Sequence, residues 1–265
     1  MRTDRLFWPL ALIVLGGLFL LSNMGIIQVS IWGVFIPVLL ILAGLSALLN
    51  SVGYARRGGQ TTSLSIPLEG DESARLHIKY GAGRMNLSGG AASGELLSGS
   101  FESGVDHHAR RGGGRLDVTL SSSADMMTLP WGWDGSHRTW DVRLNERVPL
   151  VLDIDVGAAE SRIDLTNVRV TDLKLDTGAS SSELWMPANA GQTHAKVSGG
   201  AASIKIKIPS EVAARIRWDG GLATISVDTN RFPQSGNTYQ SPNYETAANK
   251  IDLKVDMGMG SVDIR

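Results

Sequence analysis

The chain has 265 residues, a formal net charge of −1 and a mean hydropathy near zero. That balance excludes the broad basic field by which proteins hold nucleic acid. The absence of cysteine excludes disulfides, thiolate metal sites and a cysteine nucleophile.

The charge is unevenly spread. Residues 1–59 carry Arg2, Arg5, Arg56 and Arg57 against Asp4 alone, a balance of +3, which leaves −4 for residues 60–265. From Leu6 to Ala55 there is no Asp, Glu, Lys or Arg. So long an uncharged stretch exceeds one membrane span and fits two. The expected helices cover about residues 6–22 and 29–49, with Trp8 and Trp32 near the span starts, where indole rings favour the interface. A signal peptide is the weaker reading, because no small-x-small cleavage site follows Leu21 and a second apolar run comes next. Arginines flank both outer ends and the connecting turn is uncharged. The positive-inside rule then predicts a multi-pass anchor with both ends in the cytoplasm.

Residues 60–265 are predicted to form one repetitive all-β domain. A first unit spans 60–120, a Trp-rich bridge 121–148, and further repeats 149–265. The repeat aligns on a glycine between two alternating apolar runs. It recurs at Gly81, Gly157, Gly178, Gly200, Gly221 and Gly258. The middle spacings are 21, 22 and 21 residues, enough for two short strands and their turns. One unit cannot bury its own apolar stripe, so neighbours must stack into a solenoid-like sheet. The glycine implies either a positive φ or a close backbone approach. The longer spacing from Gly221 to Gly258 contains residues 231–249, rich in Pro, Ser, Asn and Gly, which read as a surface loop.

The bridge holds Trp131, Trp133 and Trp140. They would either cap a sheet edge or form a partner-binding patch, and they are the only candidate site residues. The run 250–265 is read as a strand at an open edge. There another copy could add itself, or its alternating Lys and Asp could keep the edge soluble.

Several motifs imitate catalytic ones. Asp176-Thr177-Gly178 matches the aspartic protease signature, and Leu184-Trp185 follows it. That chemistry needs a second carboxylate sharing a proton. Asp also precedes the turn glycine at Asp155, Asp219 and Asp256, so the motif is accounted for by turn chemistry. His107 and His108, beside Arg110 and Arg111 in a Gly-rich stretch, read as an exposed loop rather than a metal site. No phosphate-binding loop or nucleophile elbow occurs. No enzyme activity and no cofactor or metal are expected.

Taken together, these residues resemble the LiaF-like group of bacterial membrane proteins. The segments with Trp8-Pro9-Leu10, Gly16-Gly17, Asn23-Met24-Gly25 and Trp32 resemble its transmembrane region. Gly81-Ala82-Gly83 through Leu97-Ser98-Gly99 resembles the first unit of its toast-rack domain. Trp140-Asp141-Val142 to Val148-Pro149-Leu150 resembles its bridge, and Ser241-Pro242-Asn243-Tyr244 through Gly258-Met259-Gly260 its end. The resemblance implies a two-helix transmembrane hairpin followed by an all-β toast-rack domain without catalytic residues. It also implies a regulatory role in cell-envelope stress signalling, with a membrane-bound sensor kinase as partner. The alternative is an extracytoplasmic structural or adhesin-like module; an aspartic protease centred on Asp176 is a remote third.

Overall fold

The computed structural model describes residues 61–102, 104–122 and 138–265. The expected transmembrane helices, Trp131 and Trp133 lie outside the described residues. Fourteen strands form one continuous sheet: β1 (Thr61–Pro67), β2 (Ser73–Gly89), β3 (Glu95–Glu102), β4 (Val105–Gly112), β5 (Arg115–Ser122), β6 (Thr139–Leu144), β7 (Leu150–Asp164), β8 (Val170–Thr177), β9 (Ser181–Trp185), β10 (Gln192–Lys207), β11 (Ala213–Val227), β12 (Gln234–Ser235), β13 (Thr238–Gln240) and β14 (Lys250–Ile264). Among the described residues no helix is long and apolar enough to cross a membrane.

The repeat produces long parallel strands in register. Strands β2, β7, the β8–β9 pair, β10, β14 and β11 lie side by side in that order. Each changes phase halfway along. In β2, Ala74, Leu76, Ile78 and Tyr80 are buried, Gly81 and Ala82 are both exposed, and Met85 and Leu87 are buried again. Strand alternation has period two, so two successive outward residues switch which parity faces in. The same switch falls at Gly157-Ala158 and Gly200-Ala201. Each long strand therefore has two arms that both turn their apolar side to a shared core. Rows such as Ile78, Ile154, Leu175, Val197 and Val255 on the first arms face rows such as Leu87, Ile163, Leu184, Ile206 and Ile264 on the second.

Three of the switch glycines, Gly157, Gly178 and Gly258, are needed for close approach, and none for a left-handed φ. None of the aligned glycines has a positive φ. A Cβ on Gly178 would lie 2.9 Å from the Gly157 carbonyl oxygen, and one on Gly157 would fall on the carbonyl oxygen of Gly81. At these corners the neighbour stacks too closely for a side chain, whereas a Cβ on Gly81 or Gly200 would make ordinary contacts at 3.7 and 3.4 Å.

Two expectations are corrected here. The strand at 250–265 is not at an edge: β14 pairs in parallel with β10 on one side and β11 on the other. Its Asp252 and Asp256 pair with cations of the flanking strands, with Lys196 Nζ 3.4 Å from Asp256 and Arg217 2.7 Å from Asp252. Residues 231–249 are more than a surface loop. They bury Phe232 and Tyr244, add β13 to the edge of β11 at Arg215–Arg217, and cover the end of the first arms. Arg231 fixes this segment by donating to the carbonyls of Ile208 (2.6 Å), Pro209 and Val212 (2.9 Å).

At the other end both arms of β2 are continued. The hairpin β4–β5 extends the first arm and β6–β3–β1 the second. Thus part of the bridge, Thr139–Leu144, is an internal strand with Trp140, Val142 and Leu144 turned inward.

Candidate functional site

The outward faces of the first arms carry charge in rows set by the register. One row reads His77, Asp153, Lys174, Lys196, Lys254 and Arg217; the next reads Lys79, Asp155, Asp176, Ser198, Asp256 and Asp219. Opposite charges lie within reach of one another both along a strand and across to the next, the latter being the pairing that supports a sheet surface. Lys174 Nζ is 2.5 Å from Asp176 and 3.7 Å from Asp153; Lys254 Nζ is 3.3 Å from Asp256. An open groove of about 430 Å³ crosses this face, lined by Arg75, Asp153, Asp172, Lys174, His194 and Lys196 among others. A second open depression, of about 590 Å³, lies along the corner beside Tyr80, Ser122, Asp155 and Asp176. Neither is the enclosed, apolar pocket that small-molecule sites use.

Asp176, the protease candidate, sits in this lattice. Burial would raise its carboxyl, but hydrogen bonds from Lys174 and Ser198 and the charges of Lys174 and Lys196 outweigh it and hold it below the ordinary value. A shared-proton dyad needs one carboxyl held protonated. Asp155 is the register partner of Asp176, yet its Oδ2 lies 2.8 Å from His77 Nε2. Thr177 is buried, and its hydroxyl donates to the Ser198 carbonyl at 3.2 Å. The D-T-G sequence thus supplies a strand end and a corner.

His77, Asp153 and Asp155 could offer three ligand atoms to a cation. Sequence reading missed this grouping, because parallel register alone brings residues 77 and 155 together. Asp155 is hydrogen-bonded to His77 at 2.8 Å and Asp153 lies 3.7 Å from Lys174 Nζ, so these groups have neighbours within the sheet surface itself. His107 and His108 are exposed, as expected, but they lie on strand β4 rather than in a loop.

Of the three Trp candidates, Trp140 is corrected. It is 1% exposed, with ring centroids 5.0 Å from both Tyr80 and Phe101. This aromatic cluster fills the core beneath β2, β3 and β6, so Trp140 offers no surface to a partner. The Tyr80 hydroxyl donates to the Arg138 carbonyl at 2.5 Å, and burial pushes its ionisation up to about 12. Trp185, which no site reading singled out, lies half-buried on the outer face of the second arms. Lys207 Nζ is 4.3 Å and the Arg162 guanidinium 4.8 Å from its ring, a cation–π bracket across three strands.

These features define a parallel β-repeat with an ion-paired surface, a class that presents faces and edges rather than an enclosed reaction chamber. The chain belongs to the toast-rack family: the model of the N-terminal domain of toast_rack, DUF2154, matches residues 56–207. Residues 6–48 match the LiaI-LiaF-like transmembrane region, which makes this a LiaF-like, membrane-associated protein. No curated protein matches the sequence. Among solved structures, a Clostridium sporogenes ATCC 15579 protein provisionally assigned to cell adhesion has the same fold. It has a TM-score of 0.72 and 19% identity over 78% of this chain and 98% of that one. A Bacteroides fragilis NCTC 9343 protein provisionally assigned as an adhesin covers 78% and 97% of the two chains at 8% identity, with a TM-score of 0.20.

Proposed function

We propose that the protein is a membrane-tethered, non-enzymatic interaction module that regulates a membrane partner in cell-envelope stress signalling. The observation that carries this reading is the joining of a LiaI-LiaF-like transmembrane region to a toast-rack domain in one chain. The ion-paired faces supply fixed charge patterns for protein contact and hold no residue poised for bond making. The partner proposed is a membrane-bound sensor kinase, met on the cytoplasmic side, where the flanking arginines would place both ends of a two-span anchor.

The test uses the lack of native cysteine. Ser235 on β12 is exposed, and Ser235→Cys gives a single reporter. Labelling by an impermeant maleimide only after lysis supports the cytoplasmic reading, and crosslinking from that position should then capture a kinase. Labelling of intact cells overturns it and favours the second reading, an extracytoplasmic adhesin-like module. The fold shared with the Clostridium sporogenes protein provisionally assigned to cell adhesion motivates that alternative. The remote protease reading fails if no proteolysis is seen with the wild-type protein, and is rescued if Asp176→Asn abolishes one.

A further inference from the structure

The two ends of the repeat are finished differently. At the β2 end both arms are paired onward. At the β11 end only the first arm is covered: β13 pairs at Arg215–Arg217, and Trp218 N–H donates to Asn237 O at 3.1 Å. Residues 219–227 have β14 on one side and no described strand on the other. Their inward side chains, Ala223, Ile225 and Val227, pack on the core but remain only partly buried. Leu222 is 84% exposed, and its register partner Met259 is 55% exposed.

Charge separates this segment from the other second arms. They carry charge outward: Arg84 on β2, Glu160, Arg162 and Asp164 on β7, Glu183 on β9, Lys205 and Lys207 on β10, and Asp263 on β14. Residues 220–227, Gly-Gly-Leu-Ala-Thr-Ile-Ser-Val, carry none. Sheet edges are normally protected by lysine, proline or a bulge, and this one has none of these devices.

We propose that the free edge of β11 pairs antiparallel with the same edge of a second copy of this chain. The occupant follows from charge and from the unlike ends. An uncharged strand meets no like-charge repulsion from its own copy, because Asp219 and Asp228 lie outside the run. A head-to-tail contact would have to use β1 (Thr61–Pro67), the outermost described strand at the other end, which has seven residues and closes on Pro67 with no N–H to donate, so the twofold contact pairs the longer and fully donating edge. A centre at Thr224 places that residue opposite its own counterpart and sets Ala223 beside Ile225 of the second copy on the core side, with Leu222, Thr224 and Ser226 outward. One strand pair buries less than the roughly 1,200 Å² of a stable complex. The membrane-associated segment at 6–48 supplies the rest by raising the local concentration of copies.

The test is made on the full chain in membranes. In this cysteine-free protein, Thr224→Cys is compared under mild oxidation with Ser203→Cys, an outward position on internal strand β10. Disulfide-linked dimer is expected to form at least about ten-fold faster from Thr224→Cys, since an edge pair brings equivalent Cβ atoms within bonding reach. Adding Leu222→Lys and Ser226→Lys, both at exposed sites, should remove that excess while leaving the melting temperature unchanged. Equal crosslinking at the two positions overturns the proposal. So does a dimer that survives the lysines, which would place association elsewhere, or capture of a different protein by Thr224→Cys.

Discussion

Gly200 and Gly258 are 58 residues apart in the chain, yet a Cβ placed on Gly258 would lie 2.8 Å from the Gly200 carbonyl oxygen. The corner of β14 packs this closely on that of β10 because Gly258 has no side chain. Gly258→Ala should therefore cost about 1–3 kcal/mol, the usual penalty for overpacking, and lower the melting temperature by roughly 2–10 °C. Gly112→Ala is the control, since its Cβ would meet nothing within 4 Å and its φ is not positive. Thermal denaturation of the two variants checks the difference.

Trp140→Ala should behave as a core deletion. Loss of a fully buried indole between Tyr80 and Phe101 is expected to cost about 3–5 kcal/mol. Chemical denaturation measures it. A near-neutral result would return Trp140 to the surface.

Tyr80 gives a pH dependence with a definite sign. Its folded-state value of about 12 lies above the ordinary 10.0, because burial disfavours the phenolate. Between these values the folded state binds more protons than the unfolded state, so its contribution is complete below pH 10 and is lost as pH rises through 12. Tyr80→Phe should start about 1 kcal/mol less stable, having lost the bond to Arg138 O, and then decline less steeply in this window. Denaturation curves at pH 9 to 12 compare the slopes.

Arg231→Lys should not substitute for arginine. The guanidinium serves three carbonyls at once, and an ammonium cannot reproduce its planar fork. The expected cost is about 2–3 kcal/mol, with proteolysis of the segment 228–249 rising at least about ten-fold as its covering contacts loosen. Limited proteolysis followed by mass mapping reads this out.

Asp176→Asn should be mild. The carboxylate and Lys174 are each more than a third exposed, so the pair is worth about 0–1 kcal/mol at neutral pH. Its carboxyl lies below the ordinary value, so this contribution is present above pH 4 and is lost as pH falls further. A larger loss at neutral pH, measured by denaturant titration, would show that Asp176 does more than pair with lysine.

The local pattern was legible in the sequence and the long-range order was not. Spacing located the corner glycines and implied stacked units. The double outward step at Gly157-Ala158 is also visible as a break in alternation. What spacing cannot encode is the placement of β14 between β10 and β11. Outward Lys and Asp look the same whether they protect an edge or pair with flanking strands, so 250–265 read as an edge. The composition of 231–249 outweighed Phe232 and Tyr244, the two residues that anchor it. In the bridge, the alternation Trp140, Val142, Leu144 was a strand signal that the clustering of tryptophans obscured. The grouping of His77 with Asp155 arises only from register, which no local motif reports.

The interior position of β14 has a consequence for biosynthesis. The ribosome delivers β10 and β11 before the strand that separates them, so for an interval the nascent chain holds two matching, uncovered edges. Premature closure of β10 on β11 would satisfy the same glycine register and leave β14 without a slot. Segment 228–249, which emerges next, is bonded through Arg231 to carbonyls of the β10–β11 turn, so the turn between these two strands is tied to chain that is made before β14.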